Sequence, residues 1–289
     1  MGGAAPGIRG LHHIVRNALI VSAIILLALG GILTLFPRDT DRLFSWTIDV
    51  GLTVGTLGSY YLVALALVLL TLSGGMTWAR ARVMLAGAVA FSALALLATL
   101  MHVDKFHFGS TGFALAITWV WTVAYAVLPP LMLIGLGPQR RVPGADPPSE
   151  PAPGWVPRVM AGFGAVLLVV GVSLFVLPED VAEVWPWALT ALTGRVLGAW
   201  TIGLGVVLAF AARERLRFPL VPASATLGLF GLFQLLTALR FGGDMEWGGP
   251  AAWVYVAFLV AALLMGAAAW AAVRPVAEVT RAAEPVFRP

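Results

Sequence analysis

Hydrophobic residues in this chain fall into eight long runs that are separated by short polar segments. Each run is long enough to cross a hydrocarbon core of about 30 Å as a helix that rises about 1.5 Å per residue. The predicted spans cover residues 18–36, 50–72, 83–101, 113–136, 159–177, a run that begins near Trp187, 218–239 and 251–273. Pro129 and Pro130 cannot donate to the helix ladder, so they are expected to bend or end the fourth helix. The pattern predicts an all-α integral membrane protein with eight transmembrane helices.

The two halves of the chain resemble each other. Residues 52–60 align with residues 192–200 without a gap, matching Leu, Thr, Leu and Gly and pairing Tyr60 with Trp200. Because each half has an even number of helices, both halves would enter and leave the membrane on the same side. The sequence therefore predicts two parallel four-helix repeats (4+4), related by a pseudo-twofold axis along the membrane normal.

Domain boundaries follow from this repeat. The first repeat is predicted over residues 1–136 and the second over residues 158–273. Residues 137–157 are rich in proline, a composition typical of a linker that does not bury enough apolar surface to fold by itself. Residues 274–289 are predicted to form a polar tail on the same side of the membrane as the linker.

Composition agrees with a membrane location. Hydrophobic residues make up 60% of the chain and charged residues 11%, and the mean hydropathy is +0.93. Soluble proteins average about 25% charged residues. The net charge of +4 would suggest a nucleic-acid partner in a soluble domain, but the basic residues here lie in short loops between apolar runs. The expected partner is therefore the lipid bilayer, and no nucleic acid is expected.

The distribution of charge predicts the orientation. Of the 18 Lys and Arg residues, 13 lie on the side that carries both termini and the linker. The positive-inside rule places that side in the cytoplasm. Trp185 and Trp187 lie at the predicted outer boundary, as in an aromatic belt. The preference for Arg, Ala, Gly and Val favours the inner membrane of a bacterium.

Glycine recurs at short intervals on the second and sixth predicted helices. Small residues at this spacing let helix backbones approach closely. The glycines interpreted as helix-packing positions are Gly51, Gly55, Gly58, Gly194 and Gly198. A gate, where a ligand passes along bare backbone, is the alternative.

Arg195 is the charged residue predicted to lie deepest in an apolar run. If its helix begins near Trp187, Arg195 lies about 12 Å along that helix. A guanidinium at that depth needs a partner or water, or it extends to the outer phosphates. Asp49 is the expected partner and Gln234 a further polar contact, so these three residues form the predicted ligand-binding site.

The loop after the third predicted helix carries His102, Asp104 and His107. Imidazole and carboxylate groups suit zinc or copper, so these residues form a predicted metal site. The spacing matches no fixed metal motif, and a solvated loop at the membrane boundary explains the same residues.

Three functions remain open from the sequence. The helices lack carboxylates near the bilayer midplane, which disfavours proton- or sodium-coupled carriers. The first hypothesis is a non-catalytic scaffold, accessory subunit or sensor that binds other membrane subunits. The second is a permease or binding protein for a small or lipophilic solute between the two repeats. The third is a membrane enzyme that uses the outer His and Asp loop; the sequence identifies no cofactor.

Overall fold

The computed structural model describes residues 7–274, and within that range the chain is helical without a β-strand. The helices are α1 (His13–Leu35), α2 (Thr40–Leu43), α3 (Gly51–Ser73), α4 (Trp78–Met101), α5 (Gly112–Arg141), α6 (Trp155–Val176), α7 (Pro178–Ala182), α8 (Ala191–Ala211), α9 (Arg217–Arg240) and α10 (Pro250–Val273). Eight of them are long and apolar enough to cross a membrane, which confirms the predicted number of spans. The predicted tail lies outside the described residues apart from Arg274.

The long helices form an inner and an outer group. The inner helices α3, α8 and α9 bury most of their residues, whereas α1, α6 and α10 expose rows of Val, Leu and Ile. Helix α3 packs along α1 and α9, and α8 packs along α6 and α4. Helices α5 and α10 complete the bundle by packing on α4 and α9. An apolar exposed surface around a buried centre fits a multi-pass membrane protein.

The glycines of α3 lie where other elements approach its backbone. A Cβ atom on Gly51 or Gly55 would lie 2.7 or 2.8 Å from the ring of Phe241, which follows α9. A Cβ atom on Gly58 would lie 3.0 Å from the hydroxyl of Thr34 in α1. Since these distances leave no room for a side chain, glycine lets α3 pack closely against both neighbours.

The glycines of α8 lie against the helices that precede it. A Cβ atom on Gly194 would lie 3.1 Å from Cβ of Pro178, the first residue of α7. A Cβ atom on Gly198 would lie 2.8 Å from the carbonyl oxygen of Gly171 in α6. The two backbones are therefore in direct contact at this crossing.

Helix α5 does not end at the proline pair. The helix continues through Pro129 and Pro130 and ends at Arg141, beyond the predicted end at residue 136. Its last turn is held by the buried side chain of Gln139, which accepts a hydrogen bond of 2.7 Å from the backbone of the N-terminal lead and donates one of 3.1 Å back. These bonds fix the last turn of α5 against the N-terminal lead.

The segment between α5 and α6, residues 142–154, runs along the face that also carries the N-terminal lead. We call this the terminal face. The backbone N–H of Arg9 donates to the carbonyl oxygen of Ala145 at 2.8 Å. The N–H of Ala152 donates to the carbonyl oxygen of Arg215 at 2.8 Å. The proline-rich segment thus joins the lead to the turn between α8 and α9.

Arg82 anchors the same segment with its side chain. Its Nη1 lies 2.5 Å from a carboxylate oxygen of Asp146, and its Nε lies 2.8 Å from one of Glu214. All three side chains are partly buried, so these ion pairs are less screened by solvent than ion pairs at an exposed surface. They connect the start of α4, the linker and the turn before α9.

Candidate ligand-binding cavity

Helix α8 begins at Ala191, which is later than the predicted start near Trp187. A capping box defines this start, because the hydroxyl of Thr190 accepts from the N–H of Thr193 at 3.3 Å and the hydroxyl of Thr193 accepts from the N–H of Thr190 at 3.0 Å. The residues before the cap form a loop instead of a further helical turn. That loop brings Trp185 and Trp187 into the bundle.

The later start moves Arg195 toward the face opposite the terminal face. It lies about 6 Å along α8, not 12 Å. Its Nη1 donates to Nε2 of His102 at 2.8 Å, and its buried Nε has no partner. The predicted partner Asp49 is exposed and forms no hydrogen bond with it among the described residues. Burial, followed by the positive charge of Arg195, lowers the pKa of His102, so a neutral imidazole accepts this bond.

The structure does not bring the three predicted metal ligands together. His102 is engaged by the arginine just described, while Nδ1 of His107 lies 2.9 Å from the carbonyl oxygen of Phe44 and its Nε2 lies 3.1 Å from the hydroxyl of Thr47. Asp104 is exposed. Within residues 7–274, no three His, Asp or Glu side chains are grouped to hold a metal ion.

A cavity of about 260 Å³ lies in the half of the bundle farther from the terminal face. It is bounded by α3, α6, α8, α9, α10 and the loop before α8. Six aromatic residues contribute to its wall: Tyr60, Trp185, Trp187, Phe230, Tyr255 and Phe258. We call it the aromatic cavity. A second, apolar cavity of about 90 Å³ lies nearer the terminal face, among α1, α3, α4, α5, α8 and α9.

Most polar side chains of the aromatic cavity are paired with each other. Nε2 of Gln234 donates to the carbonyl oxygen of Thr56, and the hydroxyl of Tyr255 donates to Oε1 of Gln234, both at 3.3 Å. The hydroxyl of Thr201 donates to a carbonyl oxygen one turn earlier, so the hydroxyl of Tyr60, 2.7 Å away, donates to Thr201. The wall thus combines aromatic rings with a few fixed polar groups, as ligand pockets commonly do.

Two residues of the wall leave a buried polar atom without a partner. These atoms are the indole nitrogen of Trp185 and the hydroxyl oxygen of Thr56. The neighbouring Trp187 differs, because its indole N–H donates to the hydroxyl of Thr53 at 2.9 Å. Both atoms have almost no accessible surface, so neither faces the open space of the cavity.

Three residues of the cavity wall have exposed side chains. They are Val166 of α6, Val254 of α10 and Val184 of the loop before α8. Helices α6 and α10 touch over only a short stretch, and the rings of Phe163 and Phe258 meet there with centroids 5.4 Å apart. The aromatic cavity therefore lies close to the surface of the bundle at α6, at α10 and at this loop.

Of the three residues predicted to bind a ligand, only Gln234 lines the aromatic cavity. Arg195 contacts α4 instead, and Asp49 lies at the surface. Thr56 and Tyr255 also line the cavity, although their positions in the sequence did not predict this. Gln234 was predicted because an amide side chain inside an apolar run is unusual. Threonine and tyrosine are common in such runs, so they did not indicate a site.

The eight apolar helices fit a multi-pass membrane protein, and the aromatic cavity is its candidate ligand site. No protein-family model, curated protein or solved structure matches the chain.

Proposed function

We propose that this protein is a non-catalytic membrane protein that binds a small lipophilic solute in the aromatic cavity. The observation that carries the proposal is the cavity itself, which holds Gln234 beside aromatic rings and has exposed wall residues on α6 and α10. A scaffold or accessory subunit needs no such space. Burying apolar ligand surface against these rings would supply most of the binding free energy.

We also propose that the protein consists of two parallel repeats related by a pseudo-twofold axis. The packing of α1 on α3 has a counterpart in α6 on α8, and that of α4 on α8 has one in α9 on α3. The loops support the same relation. The N–H of His107 donates to the carbonyl oxygen of Ser45 at 2.9 Å, and the N–H of Glu246 donates to that of Pro186 at 2.8 Å.

Aromatic contacts support the repeat as well. Trp46 meets Trp121 edge to face with centroids 5.1 Å apart, and Trp187 meets Tyr255 in the same way at 5.2 Å. In the alignment that pairs Tyr60 with Trp200, the next residue of the first repeat is a tyrosine and that of the second repeat is Thr201. A smaller side chain at this position accounts for the aromatic cavity of the second repeat, where the first repeat has the buried ring of Tyr61.

The orientation is part of the proposal. The terminal face carries most of the arginines, so by the positive-inside rule we propose that it faces the cytoplasm. The residue usage noted above favours the inner membrane of a bacterium. The aromatic cavity would then lie at the depth of the outer leaflet. A solute dissolved in that leaflet could enter between α6 and α10.

The proposed function is tested by filling the cavity. Val170 of α6 lines it, whereas the preceding residue Val169 does not and is 67% exposed. We expect Val170→Phe to weaken binding of cumene (isopropylbenzene) at least tenfold, and the matched control Val169→Phe to leave it unchanged. Calorimetric titration of the protein in lipid nanodiscs, corrected for empty nanodiscs, measures both. Equal binding by the two variants, or none by the unmodified protein, would reject the proposal.

A further inference from the structure

We propose that the outer surface where the start of α1 meets the end of α5 binds the headgroup of an anionic phospholipid. Three exposed arginines define this surface, Arg16, Arg140 and Arg141, and we call it the arginine junction. Neither α1 nor α5 contributes to the wall of the aromatic cavity. The arginine junction is therefore a second site, and the inference does not depend on the ligand of that cavity.

Contact between α1 and α5 brings the arginines of the junction together. Gln139 of α5 accepts a hydrogen bond of 2.7 Å from the backbone of the residue before α1. A Cβ atom on Gly135 would lie 3.0 Å from Cγ2 of Val15. Arg140 follows Gln139 and Arg16 follows Val15, so these side chains begin beside the same helix crossing.

The positive charge of the junction has no acidic partner within residues 7–274. The acidic side chains that the structure describes on the terminal face are already paired with other arginines: Asp146 and Glu214 with Arg82, and Glu150 with Arg217. An anion at the junction would therefore meet guanidinium groups that are not already engaged by a described carboxylate.

The end of α5 does not repel an anion as an uncovered helix end would. The C-terminal carbonyl oxygens of a helix carry partial negative charge. Nη2 of Arg9 donates to the carbonyl oxygens of Gln139 and Arg140 at 2.9 and 3.1 Å. This bonding offsets part of the negative charge at the helix end and adds a further cation beside the junction.

The apolar surface next to the junction favours a phospholipid over a water-soluble anion. Arg16 shares one face of α1 with Ile20 and Ile24, which follow it by four and eight positions and are exposed. On α5, the exposed Leu133 and Ile134 precede the two arginines by seven positions each. An acyl chain can lie along these rows while the phosphate of the same molecule contacts the guanidinium groups.

The absence of a described carboxylate partner also selects the charge of the headgroup. A guanidinium group binds phosphate oxygens through paired N–H donors, and both anionic and zwitterionic lipids offer a phosphate. A zwitterionic lipid also carries a cation, which would lie near the arginines without a carboxylate to receive it. An anionic lipid avoids this repulsion, and each basic residue near the headgroups strengthens its binding about fivefold.

The test compares dioleoylphosphatidylglycerol, which is anionic, with dioleoylphosphatidylcholine, which has the same acyl chains and no net charge. Each is titrated into the detergent-solubilised full chain, and native mass spectrometry measures the affinity of the first bound lipid. We expect the anionic lipid to bind about tenfold more tightly. The double variant Arg140→Gln, Arg141→Gln should lose most of this preference, and Arg16→Gln should reduce it about fivefold. Binding of phosphatidylcholine should not change.

Two control variants separate the junction from general charge and from misfolding. Arg158→Gln removes an exposed arginine near the start of α6, away from the junction, and should keep the preference. The double variant Arg140→Lys, Arg141→Lys keeps the charge and should keep most of the preference. Equal binding of the two lipids by the unmodified protein, or equal losses in Arg158→Gln and the double glutamine variant, would overturn the proposal.

A final measurement distinguishes a lipid from a soluble anion. Glycerophosphoglycerol has the headgroup of phosphatidylglycerol but no acyl chains, so at the same concentration it should not displace the bound lipid. Displacement by glycerophosphoglycerol would show that the charges alone define the site and would overturn the assignment to a phospholipid.

Discussion

Nη1 of Arg195 lies 2.8 Å from Nε2 of His102, and this hydrogen bond joins the start of α8 to the end of α4. The bond requires a neutral imidazole, since a protonated ring has no lone pair to accept it. Protonation would also place two positive charges side by side. The contact between these two helices on the face opposite the terminal face therefore depends on pH.

Acidification is expected to destabilise the protein through His102. Burial and the charge of Arg195 lower the pKa of His102 in the folded state below its value in the unfolded chain, which is about 6.5. A base with a lowered pKa contributes its full stability above the unfolded pKa and loses it as the pH falls through the folded pKa. Thermal unfolding of the detergent-solubilised protein should therefore occur at a lower temperature at pH 5 than at pH 7.5.

The variant His102→Gln provides the control for this prediction. An amide oxygen can accept from Arg195 but does not titrate. The difference in unfolding temperature between the two pH values should be smaller in this variant than in the unmodified protein. An equal difference in both proteins would assign the acid effect to other groups.

The contact between α6 and α8 is predicted to tolerate no side chain at Gly198. A Cβ atom there would lie 2.8 Å from the carbonyl oxygen of Gly171, so the backbones must move apart. Gly198→Ala should destabilise the protein by about 1–3 kcal/mol, as overpacking does. Gly162→Ala is the matched control, because a Cβ atom on Gly162 meets nothing within 4 Å. Thermal unfolding measures both, and equal effects would contradict the close contact.

The ion pairs of Arg82 are predicted to hold the linker against the terminal face. Arg82→Gln removes the charge that pairs with Asp146 and Glu214, so residues 142–154 should detach more often. We expect proteinase K to cleave this segment several times faster in the variant. Arg158→Gln, at an exposed position, should behave like the unmodified protein. An unchanged cleavage rate in Arg82→Gln would show that backbone hydrogen bonds suffice to hold the linker.

The small side chain of Thr201 is predicted to keep the aromatic cavity open. Thr201→Tyr places in the second half the residue type that the first half has at Tyr61, whose side chain is fully buried. Cumene binding should fall at least tenfold in this variant. Thr201→Val keeps the volume but removes the hydroxyl, so it should bind cumene normally. Unchanged binding by Thr201→Tyr, measured by the same titration, would contradict this explanation of the cavity.

The spans were predictable because each is set by a local run of apolar residues. The start of α8 was not placed correctly, since Trp187 and the apolar residues after it continue the run before the true cap. Thr190 and Thr193 form the signal that would have located it, a capping box readable from two threonines three positions apart. The partner of Arg195 was missed because it depends on the packing of α4 against α8, which no local pattern reports.

The aromatic cavity was predictable only in part. Gln234 was expected to contact a ligand because a buried amide in an apolar helix needs a polar partner. Thr56 and Trp185 gave no such signal: threonine is common in membrane helices, and a tryptophan near the predicted boundary fits an aromatic belt. Their places in the cavity wall are apparent only when five helices and one loop are placed together.

The most direct test of ligand binding in the aromatic cavity is to locate a bound lipophilic molecule. A crystal of the protein grown with 4-iodocumene can be measured near an iodine absorption edge, where iodine gives an anomalous signal. We predict an anomalous peak inside the aromatic cavity, between Val170, Gln234 and Tyr255. Peaks confined to the lipid-facing surface, with the cavity empty or filled by side chains, would contradict the proposed binding site.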